Sequence, residues 1–167
     1  MHEISTPDIV VRDTGTKKGR GVFATRGFGE GEVVELSPVV FANNKWNMLP
    51  EWFRRTVFNW KKIGGEHFEH AFALGYGSLY NSSRSPNMSY RADMVSQAIV
   101  FRALRRISAG DELTINYSSE GGQAHSDRDY WFERQGLQNL EDQEASPTPQ
   151  TTRTQAAQVL SDCEQRE

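Results

Sequence analysis

Residues 73–87 read ALGYGSLYNSSRSPN, an apolar stretch that becomes small and then polar. Turn-forming residues crowd between Asn81 and Asn87, because Asn, Ser and Pro each favour tight turns. On its own this pattern is typical of a polar surface turn. Three other segments accompany it in the same chain, namely KKGRGVFAT at 17–25, GDELTINY at 110–117 and DYWFERQGL at 129–137.

Short runs of β-branched and aromatic residues separate these segments and predict strands. The predicted strands are Ile9–Arg12, residues 21–25, residues 32–42 with a break at Pro38, residues 98–102 and Leu113–Tyr117. Glycines at 19 and 21 permit positive φ, so KKGRG is expected to form a turn between two strands. Ala109, Gly110 and Asp111 predict a further turn before the last strand.

One helix is predicted after Pro50, which is suited to the first turn of a helix. Apolar side chains recur near helical spacing in the stretch that follows, at Trp52, Phe53, Val57 and Trp60. Long strands and long helices do not alternate, so a doubly wound parallel sheet is not expected. The pattern predicts a compact, strand-dominated α+β domain.

Composition divides the 167 residues into a body, 1–140, and a tail, 141–167. The tail lacks aromatic residues and carries six acidic against two basic side chains. It cannot bury enough apolar surface to offset its ordering entropy, so we expect a disordered acidic tail. The whole chain has a net charge of −3, which argues against a nucleic-acid coat. The basic cluster Arg102, Arg105 and Arg106 leaves a local anionic partner open.

Several classes of protein find no support in the sequence. No apolar run approaches the ~18 residues of a membrane span. No secretory signal is visible at the start, and Cys163 is a lone cysteine, so a soluble cytoplasmic protein is expected. The four histidines, His2, His67, His70 and His125, do not form a ligand set, and we expect no metal site. His67 and His70 are expected to be solvated residues at a helix end. Neither a P-loop nor a nucleophile elbow is present.

Together, the four segments resemble the SET-domain protein lysine methyltransferases, in particular the small stand-alone SET proteins of viruses and bacteria. KKGRGVFAT is similar to the family's G-x-G-V-x-A turn and strand. ALGYGSLYNSSRSPN is similar to its N-H-S-x-x-P-N motif, and GDELTINY to G-E-E-L-T-x-x-Y. DYWFERQGL resembles the aromatic C-terminal segment of members that lack zinc-binding flanks. The resemblance spans residues 9–140.

The resemblance implies a SET fold, built from small twisted antiparallel sheets with a threaded C-terminal segment of the β-clip type. It also implies S-adenosylmethionine as the cofactor and a lysine side chain of a protein or peptide, such as a histone tail, as the substrate. The residues implied in cofactor binding are Gly19, Arg20, Gly21, Asn81, Ser82, Tyr130 and Trp131. Pro86 and Asn87 complete the motif and are expected to fix the loop.

Two tyrosines are implied in catalysis. Tyr117 matches the family's active-site tyrosine, and Tyr90 falls where many members place an aromatic residue that lines the lysine channel. Tyr90 and Trp131 are equally compatible with an ordinary core role. Methyl transfer from a sulfonium needs aromatic faces and oxygen acceptors rather than a carboxylate base.

Three positions depart from the family pattern. Ser82 stands where histidine is usual, Arg84 sits within the second motif, and Arg20 occupies the centre of the G-x-G turn, where a cation could bind the cofactor carboxylate. Two alternatives stay open beside the methyltransferase, the first because of Ser82 and Arg20 and the second because of the basic cluster at 102–106. One is a catalytically silent SET-like module that binds peptide or cofactor. The other is a small interaction domain that uses its basic face to bind nucleic acid or an acidic protein.

Overall fold

The structure is a computed structural model that describes residues 4–117 and residue 121. Strands dominate the described chain, and its helices are all short. The strands are β1 (Ile9–Asp13), β2 (Arg20–Ala24), β3 (Val33–Ala42), β4 (Val57–Asn59), β5 (His70–Ala73), β6 (Asn81–Ser82), β7 (Met88–Asp93), β8 (Ala98–Ala103) and β9 (Thr114–Ile115). The helices are α1 (Glu51–Arg54) and three 3-10 turns at Trp46–Met48, Lys61–Ile63 and Gly77–Leu79.

These strands form three small sheets. β1 and β2 are an antiparallel hairpin, and β6 and β9 are a short parallel pair. The third sheet is antiparallel with the order β4-β5-β3-β8-β7. The prediction of a strand-dominated α+β domain is confirmed.

The long strand β3 changes partner at Pro38 instead of breaking there. Residues Val33 to Pro38 pair with β8, and Val39 to Ala42 pair with β5. Proline has no N–H to donate to a ladder, so it is tolerated where pairing changes. The Pro38 carbonyl accepts a hydrogen bond from the Leu74 N–H at 2.7 Å. The strand is therefore continuous over Val33–Ala42, and at the predicted break its pairing partner changes from β8 to β5.

The predicted helix after Pro50 is much shorter than its apolar spacing suggests. α1 ends at Arg54, and Val57 already begins strand β4. Phe58 lies in that strand opposite Ala71, and its ring packs edge-on against Tyr90 with centroids 5.2 Å apart. Because β4 pairs with β5, the Phe58 ring packs against other aromatic rings, and a helix would have directed it elsewhere. Tertiary packing therefore overrides the local helical periodicity.

His70 also differs from expectation. It lies in β5 with only 5 % of its surface exposed, and not at a solvated helix end. His67 is exposed, as expected, at a position with φ of 64°. Burial lowers the pKa of His70, so the imidazole is neutral at physiological pH.

The core lies directly behind the loops that carry the quoted segments. Its fully buried side chains come from distant parts of the chain, among them β2, β7, β8 and the segment before and within β9. They include Val22, Met88, Ile99, Phe101, Leu113 and Ile115. Burial of each such side chain stabilises the fold by about 1.5–3 kcal/mol relative to its exposure. The loops in front of the core are thereby held to one another.

Candidate active site

Three of the quoted segments meet at one place. In the parallel pair of β6 and β9, Asn81 lies opposite Thr114 and Ser82 opposite Ile115. The segment before β9 runs along β2, where the Leu113 N–H donates to the Val22 carbonyl at 2.7 Å. Residues 19–25, 81–87 and 110–117 are therefore joined by main-chain hydrogen bonds. The sequence places them far apart, and only the fold brings them together.

The asparagine corner is the polar half of this place, and we define it as Gly19, Arg20, Gly21, Asn81, Ser82 and Glu112. At its centre, Asn81 Nδ2 donates to the Arg20 carbonyl at 3.1 Å and to Glu112 Oε1 at 2.7 Å. Both amide hydrogens are used, which fixes the orientation of the amide. Among residues 4–117, none donates a hydrogen bond to Asn81 Oδ1. The corner thus presents an oriented oxygen acceptor.

The two glycines of the G-x-G turn have different reasons to be glycine. Gly19 has φ of +71°, a left-handed conformation that other residues adopt at a cost. Gly21 is buried, and a Cβ there would lie 2.5 Å from Glu112 Oε1 and 2.8 Å from Thr14 Cγ2. The space beside Gly21 is filled by protein, whereas nothing lies within 4 Å of the Cβ position at Gly19. The G-x-G turn therefore has free space beside Gly19 but not beside Gly21.

Ser82 and Arg20, two of the three departures from the family pattern, are both in the corner. The Ser82 hydroxyl accepts a hydrogen bond from the Tyr117 N–H at 3.4 Å, and its carbonyl lies 3.5 Å from Lys18 Nζ. Arg20 opens β2 with an exposed side chain and forms no ion pair with residues 4–117. Ser82 thus joins its loop to the residues that follow β9 through a side-chain hydrogen bond. The Arg20 guanidinium is available to an anionic group.

Asn87 fixes the loop, as expected. Its Nδ2 donates to the Glu112 carbonyl at 2.8 Å, and its Oδ1 accepts from the Thr114 N–H at 2.8 Å. The side chain is 6 % exposed, and it replaces main-chain partners that the loop lacks. One asparagine therefore joins the end of the loop to the GDELTINY segment.

The tyrosine cluster is the apolar half of the site, and we define it as Tyr80, Tyr90 and Tyr117. The Tyr117 hydroxyl donates to the Tyr80 carbonyl. The Tyr90 hydroxyl donates to the Asn116 carbonyl at 3.3 Å, and the Tyr90 ring is 6 % exposed. Phe58 and Phe101 pack against Tyr90, with ring centroids 5.2 and 6.1 Å away. Two of the predicted site residues thus lie together in a largely dry environment.

Burial keeps these phenols protonated. Burial raises the pKa of Tyr117 to about 12. Burial also raises the pKa of Tyr90, with a smaller contribution from the neighbouring Tyr117. A phenolate in this place would lose its hydration, so the neutral form is favoured. Tyr117 is therefore a hydrogen-bond donor at neutral pH, and not a base.

Sequence reasoning missed two carboxylates of this region. Glu112 was quoted within GDELTINY without a role, yet it orients Asn81. Glu35 was overlooked altogether, although it lies behind Tyr80 and accepts the Tyr80 O–H at 2.6 Å. A signal was present in the sequence, because an acidic residue interrupts the apolar run VVELSPVV at 33–40.

The remaining predictions concern residues away from the site or outside the description. Tyr130 and Trp131 lie outside the described residues, as do the C-terminal segment and the tail. The basic cluster Arg102, Arg105 and Arg106 is exposed on β8 and the turn after it. Across residues 4–117, no cluster of His, Cys, Asp and Glu could hold a metal ion. The same part of the chain has no helix long and apolar enough to cross a bilayer.

Comparison with known proteins agrees with the geometry. Residues 19–118 match the SET domain family. A histone-lysine N-methyltransferase of Schizosaccharomyces pombe, H3 lysine-37 specific, is 32 % identical over 126 residues, which is 75 % of this chain and 77 % of that protein. The chain belongs to the SET domain family, and the resemblance drawn from the four segments is confirmed.

Solved structures share the fold. A Plasmodium falciparum chain described as a candidate histone methyltransferase matches with a TM-score of 0.57 and 24 % identity, covering 68 % of this chain and 96 % of that one. A SET8 protein of Cryptosporidium matches with a TM-score of 0.54 and 18 % identity, covering 68 % and 59 %. At these identities the likeness establishes the SET fold. The chain is thus a SET protein with homology to a histone-lysine methyltransferase.

Proposed function

We propose that this protein is an S-adenosylmethionine-dependent lysine N-methyltransferase that acts on a protein. One observation carries the proposal: a protonated, partly buried Tyr117 lies beside a polar corner whose Asn81 presents an oriented acceptor. Membership in the SET family and the 32 % identity to a histone-lysine methyltransferase support the same reaction.

The asparagine corner fits the methyl donor chemically. Bound S-adenosylmethionine supplies a methyl group on a cationic sulfonium, and it also carries an ammonium, a carboxylate and an adenosine. Asn81 Oδ1 is an acceptor suited to the ammonium, since its amide is held by Arg20 and Glu112. The exposed Arg20 guanidinium suits the carboxylate. Nothing lies within 4 Å of the Cβ position at Gly19, so a ligand has room to approach the turn there. We assign contact with adenine to the main chain of Ser82, as the family suggests.

The tyrosine cluster would receive the target lysine. The faces of Tyr90 and Tyr117 attract a cation without neutralising it. Because the Tyr117 O–H is donated to the Tyr80 carbonyl, the phenol oxygen and that carbonyl both keep lone pairs that can accept the N–H groups of a neutral amine. These groups orient an amine so that its lone pair faces the methyl group, and such alignment supplies much of the rate enhancement.

The target amine must reach the site without its proton. A free lysine has a pKa near 10.4, so deprotonation near pH 7.4 costs about 4 kcal/mol. The described groups of the tyrosine cluster are phenols and carbonyls, which do not take up a proton at neutral pH. Desolvation beside the phenol rings lowers the pKa of an entering lysine, and the donor's positive charge lowers it further. The proton is then released to water before transfer.

Histone H3 is the first substrate to test, since the curated relative acts on lysine 37 of H3. A cytoplasmic location stays a prediction, and a chromatin substrate would instead require access to the nucleus of a cell. The number of methyl groups added would follow from the space around Tyr90 and Tyr117.

The test is methyl transfer from tritiated S-adenosylmethionine to recombinant H3 and to a set of unrelated lysine-rich proteins. We expect label in H3 and its loss when lysine 37 of H3 is replaced by arginine. Calorimetry with S-adenosylmethionine is run in parallel. An absence of both binding and transfer would refute the proposal, whereas binding without transfer to any protein would identify a catalytically silent module.

A further inference from the structure

A buried carboxylate lies behind the tyrosine cluster and has no part in the proposed chemistry. Glu35, in the middle of β3, is 5 % exposed. A carboxylate in such a place is costly unless hydrogen bonds compensate for the lost water. Burial raises the pKa of Glu35 above its ordinary value, although the hydrogen bonds it accepts oppose the shift. A group kept at this cost calls for an explanation.

Glu35 binds both ends of one short turn. Its Oε1 accepts the Tyr76 N–H at 2.9 Å, and its Oε2 accepts the Tyr80 O–H at 2.6 Å. Tyr76 and Tyr80 flank the 3-10 turn Gly77–Leu79 on either side. The chain also packs tightly on the carboxylate, because a Cβ at Gly75 would overlap Glu35 Oε1. The turn is thus held to β3 by a single side chain.

The 3-10 turn Gly77–Leu79 is followed directly by Tyr80, whose carbonyl binds the Tyr117 hydroxyl. Tyr80 is fully buried, and its carbonyl accepts the Tyr117 hydroxyl. Its ring packs on Phe101 with centroids 4.9 Å apart, which fixes the ring plane. A shift of the turn would therefore move the acceptor of the Tyr117 O–H. Asn81, the next residue, has its own hydrogen bonds to Arg20 and Glu112.

We infer that Glu35 is a positioning residue for Tyr117, acting through Tyr80. The inference rests on the proposed function, because it assigns Glu35 a part in placing that reaction's phenol. Glu35 touches neither substrate nor methyl donor. It sets the position of the Tyr80 carbonyl, which in turn sets the direction of the Tyr117 hydroxyl. The donor-binding corner is independent of it.

Glu35→Gln is the sharpest variant, because it keeps the shape and halves the acceptors. Two donors, the Tyr76 N–H and the Tyr80 O–H, then face one carbonyl and one NH₂ group. If the glutamine oxygen accepts the Tyr76 N–H, its NH₂ group can only donate to the Tyr80 oxygen, so the Tyr80 O–H loses its acceptor and the contact that holds the turn weakens. Tyr80→Phe removes the other end of the same contact and leaves the Tyr80 carbonyl in the chain. Glu51→Gln is the matched control, since Glu51 is an exposed carboxylate paired with Arg55 at 2.6 Å.

Steady-state methyl transfer by the full chain measures kcat and the KM for each substrate. We expect Glu35→Gln and Tyr80→Phe each to lower kcat by about tenfold to a hundredfold, as small misplacements do. The KM for S-adenosylmethionine should stay within about twofold of the wild-type value. The kcat of the double variant should be no lower than that of the poorer single variant, as for residues that act as a unit. Glu51→Gln should match the wild type.

A second readout does not depend on activity. With tyrosines carrying ¹³C at Cζ, the Tyr117 resonance is assigned as the one missing in Tyr117→Phe. It should move in both Glu35→Gln and Tyr80→Phe and stay in place in Glu51→Gln.

Unchanged kcat with an unchanged resonance would overturn the inference, as would equal losses in kcat and in affinity for the methyl donor. If Glu35→Gln does not fold, Tyr80→Phe decides. A wild-type protein without any transfer would refute the proposed function, and the resonance would still test the link from Glu35 to Tyr117.

Discussion

The two halves of the site are built on opposite physical principles. In the asparagine corner, polar side chains bond to the main chain at a partly exposed surface, and the Asn81 amide is oriented with its oxygen free of donors from residues 4–117. In the tyrosine cluster, Tyr80 and Tyr90 are buried and Tyr117 is partly buried. The Tyr90 and Tyr117 hydroxyls donate to carbonyls, and the Tyr80 hydroxyl donates to the Glu35 carboxylate. The first arrangement suits recognition of a charged ligand, and the second excludes water. Binding and chemistry should therefore respond to different substitutions.

The largest expected effect is in the tyrosine cluster. Tyr117→Phe removes the O–H that bonds to the Tyr80 carbonyl and leaves the ring. We expect kcat for methyl transfer to fall by at least about a hundredfold, a loss typical of a misaligned reacting group. By calorimetry, the affinity of this variant for S-adenosylmethionine should stay within about threefold of the wild-type value. That change is smaller than the loss of one hydrogen bond to a charged group would cause. A variant with unchanged turnover would remove Tyr117 from the reaction.

In the asparagine corner we expect the opposite result, a change in ligand affinity rather than in turnover. Asn81→Ala removes the acceptor offered to the donor's ammonium, and a hydrogen bond to a charged group contributes about 1.5–3 kcal/mol. We expect the Kd for S-adenosylmethionine to rise by about tenfold to a hundredfold, with kcat at saturation nearly retained. Ser83→Ala is the control, since the Ser83 hydroxyl bonds only locally, to the Ser85 N–H at 3.1 Å. If both variants bind equally well, the corner does not hold the ligand.

A smaller effect is expected from Glu112→Gln. The amide keeps one oxygen for Asn81 Nδ2 but exchanges a charge-assisted hydrogen bond for a neutral one. Such a change is worth about 0.5–1.5 kcal/mol, so the Kd for S-adenosylmethionine should rise by about twofold to tenfold. The turnover number should not move. A drop in kcat without a change in Kd would show that the two halves are coupled through Glu112.

The smallest effect is on stability and concerns Glu35. Since burial raises its pKa in the folded protein, the carboxyl binds its proton more tightly there than in the unfolded chain. The folded state is favoured by this group below its ordinary pKa of 4.5, and that contribution is lost as pH rises through the higher folded value. The groups that face Glu35 are the Tyr76 N–H, the Tyr80 hydroxyl and the Ser37 hydroxyl, and burial raises the pKa of Tyr80.

Urea unfolding measures this effect as the difference in the free energy of unfolding between wild type and Glu35→Gln. We expect the wild type to lose stability relative to the variant as pH is raised from 4 towards neutrality. A difference that does not change with pH would mean that Glu35 has the same proton affinity in both states.

The pieces of the site could be identified from the sequence, because each has a local chemical signature. The G-x-G turn, Asn81, Ser82, Asn87 and Tyr117 were all named from short motifs, and residues 19–118 match the SET family as those motifs implied. Local patterns failed where long-range pairing decides the structure. The helix predicted through Trp60 ends at Arg54, since Phe58 finds its partners in β5, Tyr90 and Phe101.

By itself the sequence determined the family, the strand-rich class and the residue types that the proposed reaction needs, since turn chemistry and side-chain alternation act over a few residues. Only the tertiary structure decided which groups touch. The amide of Asn81 is oriented by Glu112, 31 positions away, and the Tyr80 hydroxyl donates a hydrogen bond to Glu35, 45 positions away. Such contacts depend on burial and on how strands from distant parts of the chain pair, and a local pattern does not encode either.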